Sequence, residues 1–320
     1  MSRPPRTRAP QHANASPFAQ LFDAAERGDI LELKRLVKQK SIDLHRPRPE
    51  DARTPLMVAI SNGHETAALT LMDSATPEQL QQRDAQGCCA LEMALDAGLE
   101  VAGRKLLSRL RNAKQSGGHA ILLTTIAEGR DVRIWNLLKL MKNVNEKSED
   151  GTTALAMAIQ KGRVDLVKQL LNKGAFVEEK DAALDAPLSI AADKGSLDIV
   201  ELLLERKADV HRAGKEGRTA LHRAASAGHH EIVAALLDAK AKVDAVDRHG
   251  RTPLQYAGES GSDKCARLLI EHGADVHHAD NEGITPLEVI DERDWVDAEV
   301  GDLTLQRAPA NKCCAGCVIL

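Results

Sequence analysis

Aromatic side chains are scarce in this sequence. They make up 2% of the 320 residues, as three Phe, two Trp and one Tyr. Proteins that bind single-stranded nucleic acid stack bases on aromatic rings, and a formal net charge of −4 at pH 7 provides no general attraction to phosphates. We therefore expect no nucleic-acid partner. Packing in such a chain must depend on leucine and small residues, as thin stacked helices require.

Long apolar runs are also missing. No stretch of about 18 or more apolar residues occurs, so the sequence predicts no transmembrane helix. The arginines near the N-terminus are not followed by an apolar segment, which argues against a secretory signal. Residues 1–17 combine Pro, Arg and small polar residues and are predicted to be a disordered basic arm. A solubilising tail is favoured over an arm for anionic surfaces or a translocation signal.

The six cysteines do not have the spacing of a disulfide framework, which favours a reducing cytosol. Three lie within the body of the chain, at Cys88, Cys89 and Cys265, and three at the end, at Cys313, Cys314 and Cys317. The last three lack a fourth ligand and the paired spacing of a zinc site. The histidines fall at predicted turns or helix ends. We therefore predict neither a metal nor another cofactor.

Catalytic motifs are missing as well. The sequence has no glycine-rich phosphate loop ahead of a Lys-Ser/Thr pair and no Gly-x-Ser-x-Gly elbow. Its many Asp and Glu residues recur as turn and surface residues do. We predict that the chain has no catalytic residue, is not an enzyme and has no small-molecule substrate.

What the sequence does contain is best seen in residues 247–279, which predict two short helices between turns. Asp247 and Gly250 suit a tight turn, since Asp bonds to local backbone and Gly accepts positive φ. Thr252 can cap the first helix, and Pro253 fits its first position because no N–H is needed there. Two helices this short cannot bury enough surface alone, so the segment predicts similar neighbours.

The second helix of the segment has equally clear limits. Gly261 ends the first helix, Ser262 can cap the second, and Gly273 stops it. The buried stripe of the second helix is supplied by Ala266, Leu268, Leu269 and Ile270.

The glycine between the two helices recurs along the chain with successive gaps of 35, 35, 31, 33, 33, 33 and 33 residues. Its positions are Gly28, Gly63, Gly98, Gly129, Gly162, Gly195, Gly228 and Gly261. The leucine of the first helix recurs in step, at Leu155, Leu188, Leu221, Leu254 and Leu287. Thr-Pro-Leu-His-like starts and Gly-Ala-Asp-Val-like ends at a fixed period of about 33 resemble the ankyrin repeat. The residues that carry the resemblance are Thr219-Ala220-Leu221-His222-Arg223-Ala224-Ala225, Thr252-Pro253-Leu254, Thr285-Pro286-Leu287 and Gly273-Ala274-Asp275-Val276, with looser copies at Thr54-Pro55-Leu56, Thr153-Ala154-Leu155 and Ala186-Pro187-Leu188.

The resemblance covers residues 18–300 and implies an all-α ankyrin-repeat solenoid of about nine repeats, including its two caps. It leaves no room for a separate catalytic domain. The predicted divisions are a disordered arm at 1–17, a solenoid at 18–307 and a flexible tail at 308–320. Within the solenoid, residues 84–148 are less regular, 150–279 keep the strict period, and 280–307 form an acidic C-terminal cap. Sequence drift with intact packing is favoured at 84–148 over a bend between two blocks.

The tail carries the most informative motif outside the repeats. Cys317-Val318-Ile319-Leu320 resembles a CaaX box, in which a prenyltransferase modifies the cysteine, and Leu320 in the last place indicates a geranylgeranyl group. One lipid rarely holds a protein firmly, so a second signal is expected. Cys313 and Cys314 are candidates for palmitoylation. In a bacterium without the transferase the box would have no effect.

The resemblance also implies that partners bind along the concave side, at turn tips and at the exposed ends of the first helices. His222, at the family's helix start, is then structural. The mixed charges of the candidate residues indicate one or more proteins as partners. The candidates are Gln160, Lys161, Asp193, Lys194, Lys215, Glu216, Arg218, Ser226, Arg248, His249, Arg251, Glu259, Asn281, Glu282 and Ile284.

These patterns together predict a non-enzymatic, protein-binding scaffold or adaptor tethered by prenylation to the cytosolic side of the plasma membrane or an endomembrane. Such a scaffold could be a resident eukaryotic adaptor or resemble ankyrin effectors that intracellular bacteria deliver into host cells. The alternative is a soluble cytoplasmic regulator or inhibitor with an unmodified tail.

Overall fold

The computed structural model describes residues 16–39, 42–111, 117–148, 150–180 and 185–291. The chain forms two compact units, Met1–Val144 and Asn145–Leu320. Within the described ranges it contains eighteen α-helices and no β-strand, so the predicted all-α repeat fold is confirmed. None of the described helices combines the length and the apolar character needed to cross a membrane.

Unit 1 consists of four helix pairs with one short additional helix between the second and third pairs. Its helices are α1 Pro17–Arg27, α2 Ile30–Val37, α3 Pro55–Ser61, α4 Glu65–Met72, α5 Pro77–Leu80, α6 Ala90–Asp96, α7 Glu100–Arg111, α8 Gly117–Glu128 and α9 Asp131–Leu140.

The described residues of unit 2 form four further pairs and the first helix of another. Its helices are α10 Ala154–Gln160, α11 Val164–Asn172, α12 Pro187–Asp193, α13 Leu197–Glu205, α14 Ala220–Ala227, α15 His230–Asp238, α16 Pro253–Ser260, α17 Asp263–Glu271 and α18 Pro286–Asp291. A single 3-10 turn, Lys215–Gly217, precedes α14.

The core of unit 2 is built by stacking equivalent helices of successive repeats. Helix α14 packs between α12 and α16, and α15 packs between α13 and α17. Leu221 and Leu254, from equivalent places in α14 and α16, are fully buried, as are Leu236 and Leu269 in the second helices. Each such side chain stabilises the fold by about 1.5–3 kcal/mol through burial. The recurring leucines therefore hold each repeat to the next.

Helix ends follow the predicted chemistry at residues 247–279, with one difference. The Thr252 hydroxyl accepts a hydrogen bond from the Gln255 amide at 3.4 Å, and Gly261 ends α16 with a φ of 73°. Ser262 stands at the N-cap of α17, but its side chain caps no helix amide, so that prediction is wrong. The Ser262 hydroxyl instead lies 2.9 Å from the hydroxyl of Ser260, and this contact competes with capping.

The third and fourth pairs, in unit 1, depart from the regular start. The residue before α6 is Cys89 rather than Thr. The Glu92 carboxylate accepts a hydrogen bond from the Cys89 amide at 3.0 Å. Arg133 of α9, only 2% exposed, reaches back to α6. Its guanidinium lies 3.0 Å from Asp96 Oδ1 and 3.8 Å from Glu92 Oε2. Helix α6 is thus joined to α9 by buried charge as well as by apolar packing.

Candidate partner-binding surface

Three turns in unit 2 project ahead of α14, α16 and α18, and we call residues 214–218, 247–251 and 280–284 the finger turns. In the second, Asp247 Oδ1 accepts hydrogen bonds from the amides of His249 at 2.8 Å and Arg251 at 3.0 Å. Asp280 binds the amides of Glu282 and Ile284 in the same way. A carboxylate at the first position therefore shapes both turns, as predicted for Asp247.

The first finger turn has Gly214 where the other two have Asp. Asp185 of the preceding repeat instead accepts a hydrogen bond from the Lys215 amide at 3.1 Å, at the place where the Arg248 and Asn281 amides bond to a carbonyl of the preceding turn. Asp185 therefore forms a hydrogen bond with the finger turn of the following repeat.

Adjacent finger turns are joined by main-chain hydrogen bonds. The Arg248 amide donates to the Glu216 carbonyl at 2.9 Å, and the Asn281 amide donates to the His249 carbonyl at 2.9 Å. The three turns consequently form one row. Six candidate residues stand exposed along this row: Lys215, Arg248, His249, Asn281, Glu282 and Ile284. Ile284, at its end, is 39% exposed.

The two predicted binding arginines at the base of the finger turns have structural contacts. Arg218 lies 3.0 Å from Glu216 and 3.8 Å from Asp247, and its guanidinium stands 4.7 Å from the ring centroid of Tyr256. Arg251 lies 3.0 Å from Glu259 and 3.6 Å from Asp280. Glu216, Arg218, Arg251 and Glu259 therefore help to hold the turns in place, and their part in binding stays a prediction.

The remaining candidates come from the ends of the first helices. Gln160, Asp193, Ser226 and Glu259 each occupy the seventh position of α10, α12, α14 and α16, and all are exposed. Lys161 and Lys194 follow directly, as the C-cap residues of α10 and α12. Together with the finger turns, these residues form what we call the finger surface of unit 2.

A buried hydrogen-bond network supports the finger surface from beneath. The Tyr256 hydroxyl donates to Asp247 Oδ2 at 2.7 Å. Burial, together with this bond to the carboxylate, raises the pKa of Tyr256 to about 12. Although burial acts in the opposite direction, bonds from Tyr256, Arg251 and His249 hold the pKa of Asp247 below its ordinary value. The carboxylate that shapes the second finger turn thus stays ionised at neutral pH.

His222 belongs to the same network and is fully buried. Its Nδ1 accepts a hydrogen bond from the Thr219 amide at 3.1 Å, and its Nε2 lies 3.1 Å from the Arg251 carbonyl of the next repeat. Burial lowers the pKa of His222, so the ring is neutral with its proton on Nε2. The side chain ties one helix start to the next finger turn, which is the structural role implied by the resemblance.

A cavity of about 360 Å³ opens between α10, α12 and α14. Its lining includes four predicted binding residues, namely Gln160, Lys161, Asp193 and Lys194. The other four lining residues were not predicted: Asp185, Ser189, Ile190 and Arg223. The signal that could have found them is Ser189, which stands third in α12 where α14 has His222 and α16 has Gln255.

The predicted lipid acceptors Cys313, Cys314 and Cys317 lie outside the described residues, as do most of the basic arm and the acidic cap beyond residue 291. Across the part of the chain that the structure describes, no group of His, Cys, Asp and Glu side chains is arranged to hold a metal ion.

Comparison with protein families agrees with this architecture. One model of ankyrin repeats, in three copies, matches residues 122–214 and 188–280, and another, in many copies, matches residues 21–71. The matches cover more than half of the chain, which therefore belongs to the ankyrin-repeat proteins. Proteins with this repeat are generally non-enzymatic interaction modules that bind other proteins. No curated protein matched the chain.

Proposed function

We propose that this chain is a scaffold that binds a partner protein on the finger surface and is tethered to the cytosolic face of a membrane by its C-terminal tail. The row of finger turns carries the first part of the proposal. Main-chain bonds hold the row, while Lys215, Arg248 and His249 extend exposed side chains from it. A large exposed surface built from repeated units is the usual binding asset of a solenoid.

Site-specific photocrosslinking tests the binding surface. A photoreactive amino acid at His249 should capture a partner protein in cells, whereas the same amino acid at Lys168 should not. Lys168 is also exposed but lies on the second helix α11, away from the finger turns. Equal capture from both positions, or capture from Lys168 alone, would place the partner elsewhere and refute the assignment.

The tether is proposed from the sequence Cys317-Val318-Ile319-Leu320, in which the cysteine thiol is the acceptor for a geranylgeranyl group. A single prenyl chain gives weak and reversible membrane binding, and a second acyl chain on Cys313 or Cys314 would make it stable. About ten residues separate the end of the predicted cap from Cys317. At roughly 3.3–3.6 Å per residue they reach about 35 Å, so the C-terminal end of unit 2 would lie near the bilayer.

Mass spectrometry of the C-terminal peptide from eukaryotic cells tests the modification directly. The expected species carries a prenyl group on Cys317 and lacks the three residues after it. An intact thiol followed by Val318, Ile319 and Leu320 would reject prenylation and favour a soluble regulator with an unmodified tail.

Cell fractionation then tests whether the modification determines location. The wild-type chain should partition into membranes and Cys317→Ser into the soluble fraction. The double variant Cys313→Ser/Cys314→Ser should show intermediate partitioning, because one of the two signals remains. If all three proteins partition alike, the tether proposal fails while binding on the finger surface is unaffected.

A further inference from the structure

The cavity between α10, α12 and α14 is lined by a short residue, Ser189, at the third position of α12. In α14 and α16 the third position of the first helix holds a side chain that bonds to the next repeat. His222 does so in α14, and Gln255 does so in α16, where its amide nitrogen donates to the Ile284 carbonyl at 2.8 Å. Ser189 holds the same position in α12. Its side chain ends at the first oxygen and leaves the space beyond it unfilled.

Ser189 also leaves a polar atom without a partner. The residue is 1% exposed, and within the described residues its hydroxyl makes no hydrogen bond. Ala156, at the third position of α10, is equally short but has no polar atom to satisfy. A buried hydroxyl without a partner costs about 1–3 kcal/mol, so Ser189 favours a ligand that forms a hydrogen bond with its hydroxyl.

A second buried donor in the cavity wall is Arg223. Its Nη2 lies 2.8 Å from Asp185 Oδ2, and its Nη1 lies 3.9 Å from Asp193 Oδ1. Its Nε–H is buried and makes no hydrogen bond among the described residues. The two unmatched groups in this wall, Ser189 Oγ and Arg223 Nε, can therefore both donate.

The charges around the cavity do not balance. Two carboxylates, Asp185 and Asp193, face three cations, Arg223, Lys161 and Lys194. Lys161 and Lys194 are exposed and form no ion pair within the described part of the chain. One positive charge is left over, which matches one carboxylate and falls short of a phosphate dianion. The volume of about 360 Å³ is also many times the roughly 30 Å³ of one water molecule.

We propose that this cavity binds the carboxylate of an acidic side chain from the partner protein. The carboxylate accepts hydrogen bonds from Ser189 and Arg223, while Lys161 and Lys194 neutralise its charge. This assignment rests on the proposed scaffold function and adds to it the chemical class of the residue that the partner presents.

The Nε–H resonance of Arg223 in the NMR spectrum of the full-length protein reports directly on the cavity. N-acetylglutamate amide is the probe, and N-acetylglutamine amide at matched ionic strength is the neutral control. We expect a saturable shift with the first and none with the second. The dissociation constant should be on the order of 1 mM, which is ordinary for a ligand of this size.

Two substitutions of the same residue separate the cavity from its hydroxyl. Ser189→Gln fills the cavity as Gln255 fills its own place, and it should weaken binding at least tenfold. Ser189→Ala keeps the space and removes the donor, and it should weaken binding severalfold. The remaining amide spectrum, unchanged in each variant, verifies that the repeat is folded. An unchanged dissociation constant in Ser189→Gln would overturn the proposal.

Further outcomes would also overturn it. These are no shift with the glutamate derivative, an equal shift with the glutamine derivative, or tighter binding of inorganic phosphate. The probe experiment needs no partner protein. If the probe does not bind but photocrosslinking from His249 captures a partner, the cavity proposal fails while the scaffold proposal stands. If the probe binds and photocrosslinking captures no protein, the cavity is a site for free carboxylates, and both proposals fall.

Discussion

Removing the imidazole of His222 should destabilise unit 2 by about 3–5 kcal/mol. The ring bonds through Nδ1 to the Thr219 amide, with the Thr219 hydroxyl also 2.9 Å from Nδ1, and through Nε2 to the Arg251 carbonyl. The bonds to the amide and the carbonyl are each worth about 1 kcal/mol. In His222→Ala the Thr219 amide would also lose its partner at a buried helix start, which costs about 1–3 kcal/mol more. His222→Gln should lose less than about 1 kcal/mol, because Gln255 makes the equivalent two bonds one repeat later.

The two variants also separate hydrogen bonding from titration. Burial holds the pKa of His222 below its ordinary value of 6.5. Between the lowered pKa of the folded state and the pKa of 6.5 in the unfolded chain, the unfolded chain binds more protons than the folded one. The free energy of unfolding is therefore fully retained above pH 6.5 and falls as the pH drops below it. His222→Gln lacks this loss. Burial also lowers the pKa of His45 in unit 1. Because the wild type and the His222→Gln variant both contain His45, its contribution cancels when they are compared.

Urea unfolding followed by circular dichroism at pH 7.5 and pH 5.5 measures the difference between wild type and each variant. Hydrogen exchange at the Thr219 amide adds a local reading, which matters because weakened repeat arrays can open locally. The reasoning is refuted if His222→Ala is as stable as the wild type. It is also refuted if His222→Gln retains the full wild-type loss of stability at the lower pH.

Two further predictions concern buried charge and backbone strain. Arg133→Ala should cost about 1–3 kcal/mol, because the buried Glu92 loses one of its two cationic partners, whereas Asp96 is half-exposed and can be solvated by water; a thermal midpoint equal to that of the wild type would contradict this. Gly250→Ala should destabilise the protein more than Gly283→Ala. Both glycines have positive φ, but only at Gly250 would the new methyl group lie 2.7 Å from a side-chain oxygen of the next finger turn. Strain alone costs about 1–2 kcal/mol per residue, and equal urea midpoints for the two alanine variants would exclude the added clash.

The sequence predicts the repeat well because each local signal agrees with the stacked structure. The Asp247 turn, the Thr252 cap and the Gly261 stop all form as expected. Ser262 fails as a cap because another hydroxyl, that of Ser260, lies close by. A one-dimensional pattern does not show which neighbour a short polar side chain will contact.

The binding surface is predicted less completely, for a related reason. Alignment of the repeats identifies exposed residues such as Lys161 and Lys194, since exposure follows from position in the repeat. It does not show that Arg218 and Arg251 form ion pairs with the following finger turns, because those pairs join different repeats. The Ser189 cavity is likewise formed by three helices from successive repeats, so the sequence of one repeat alone does not show it.

The finger turns are held together by amides and carbonyls of the main chain, and this has an evolutionary consequence. The bonds at Arg248 and His249 use backbone atoms that every residue except proline possesses. Substitutions at these two exposed positions can therefore change what the surface recognises while leaving the row intact. A lineage carrying this array could exchange one partner for another by single mutations, with no intermediate that fails to fold.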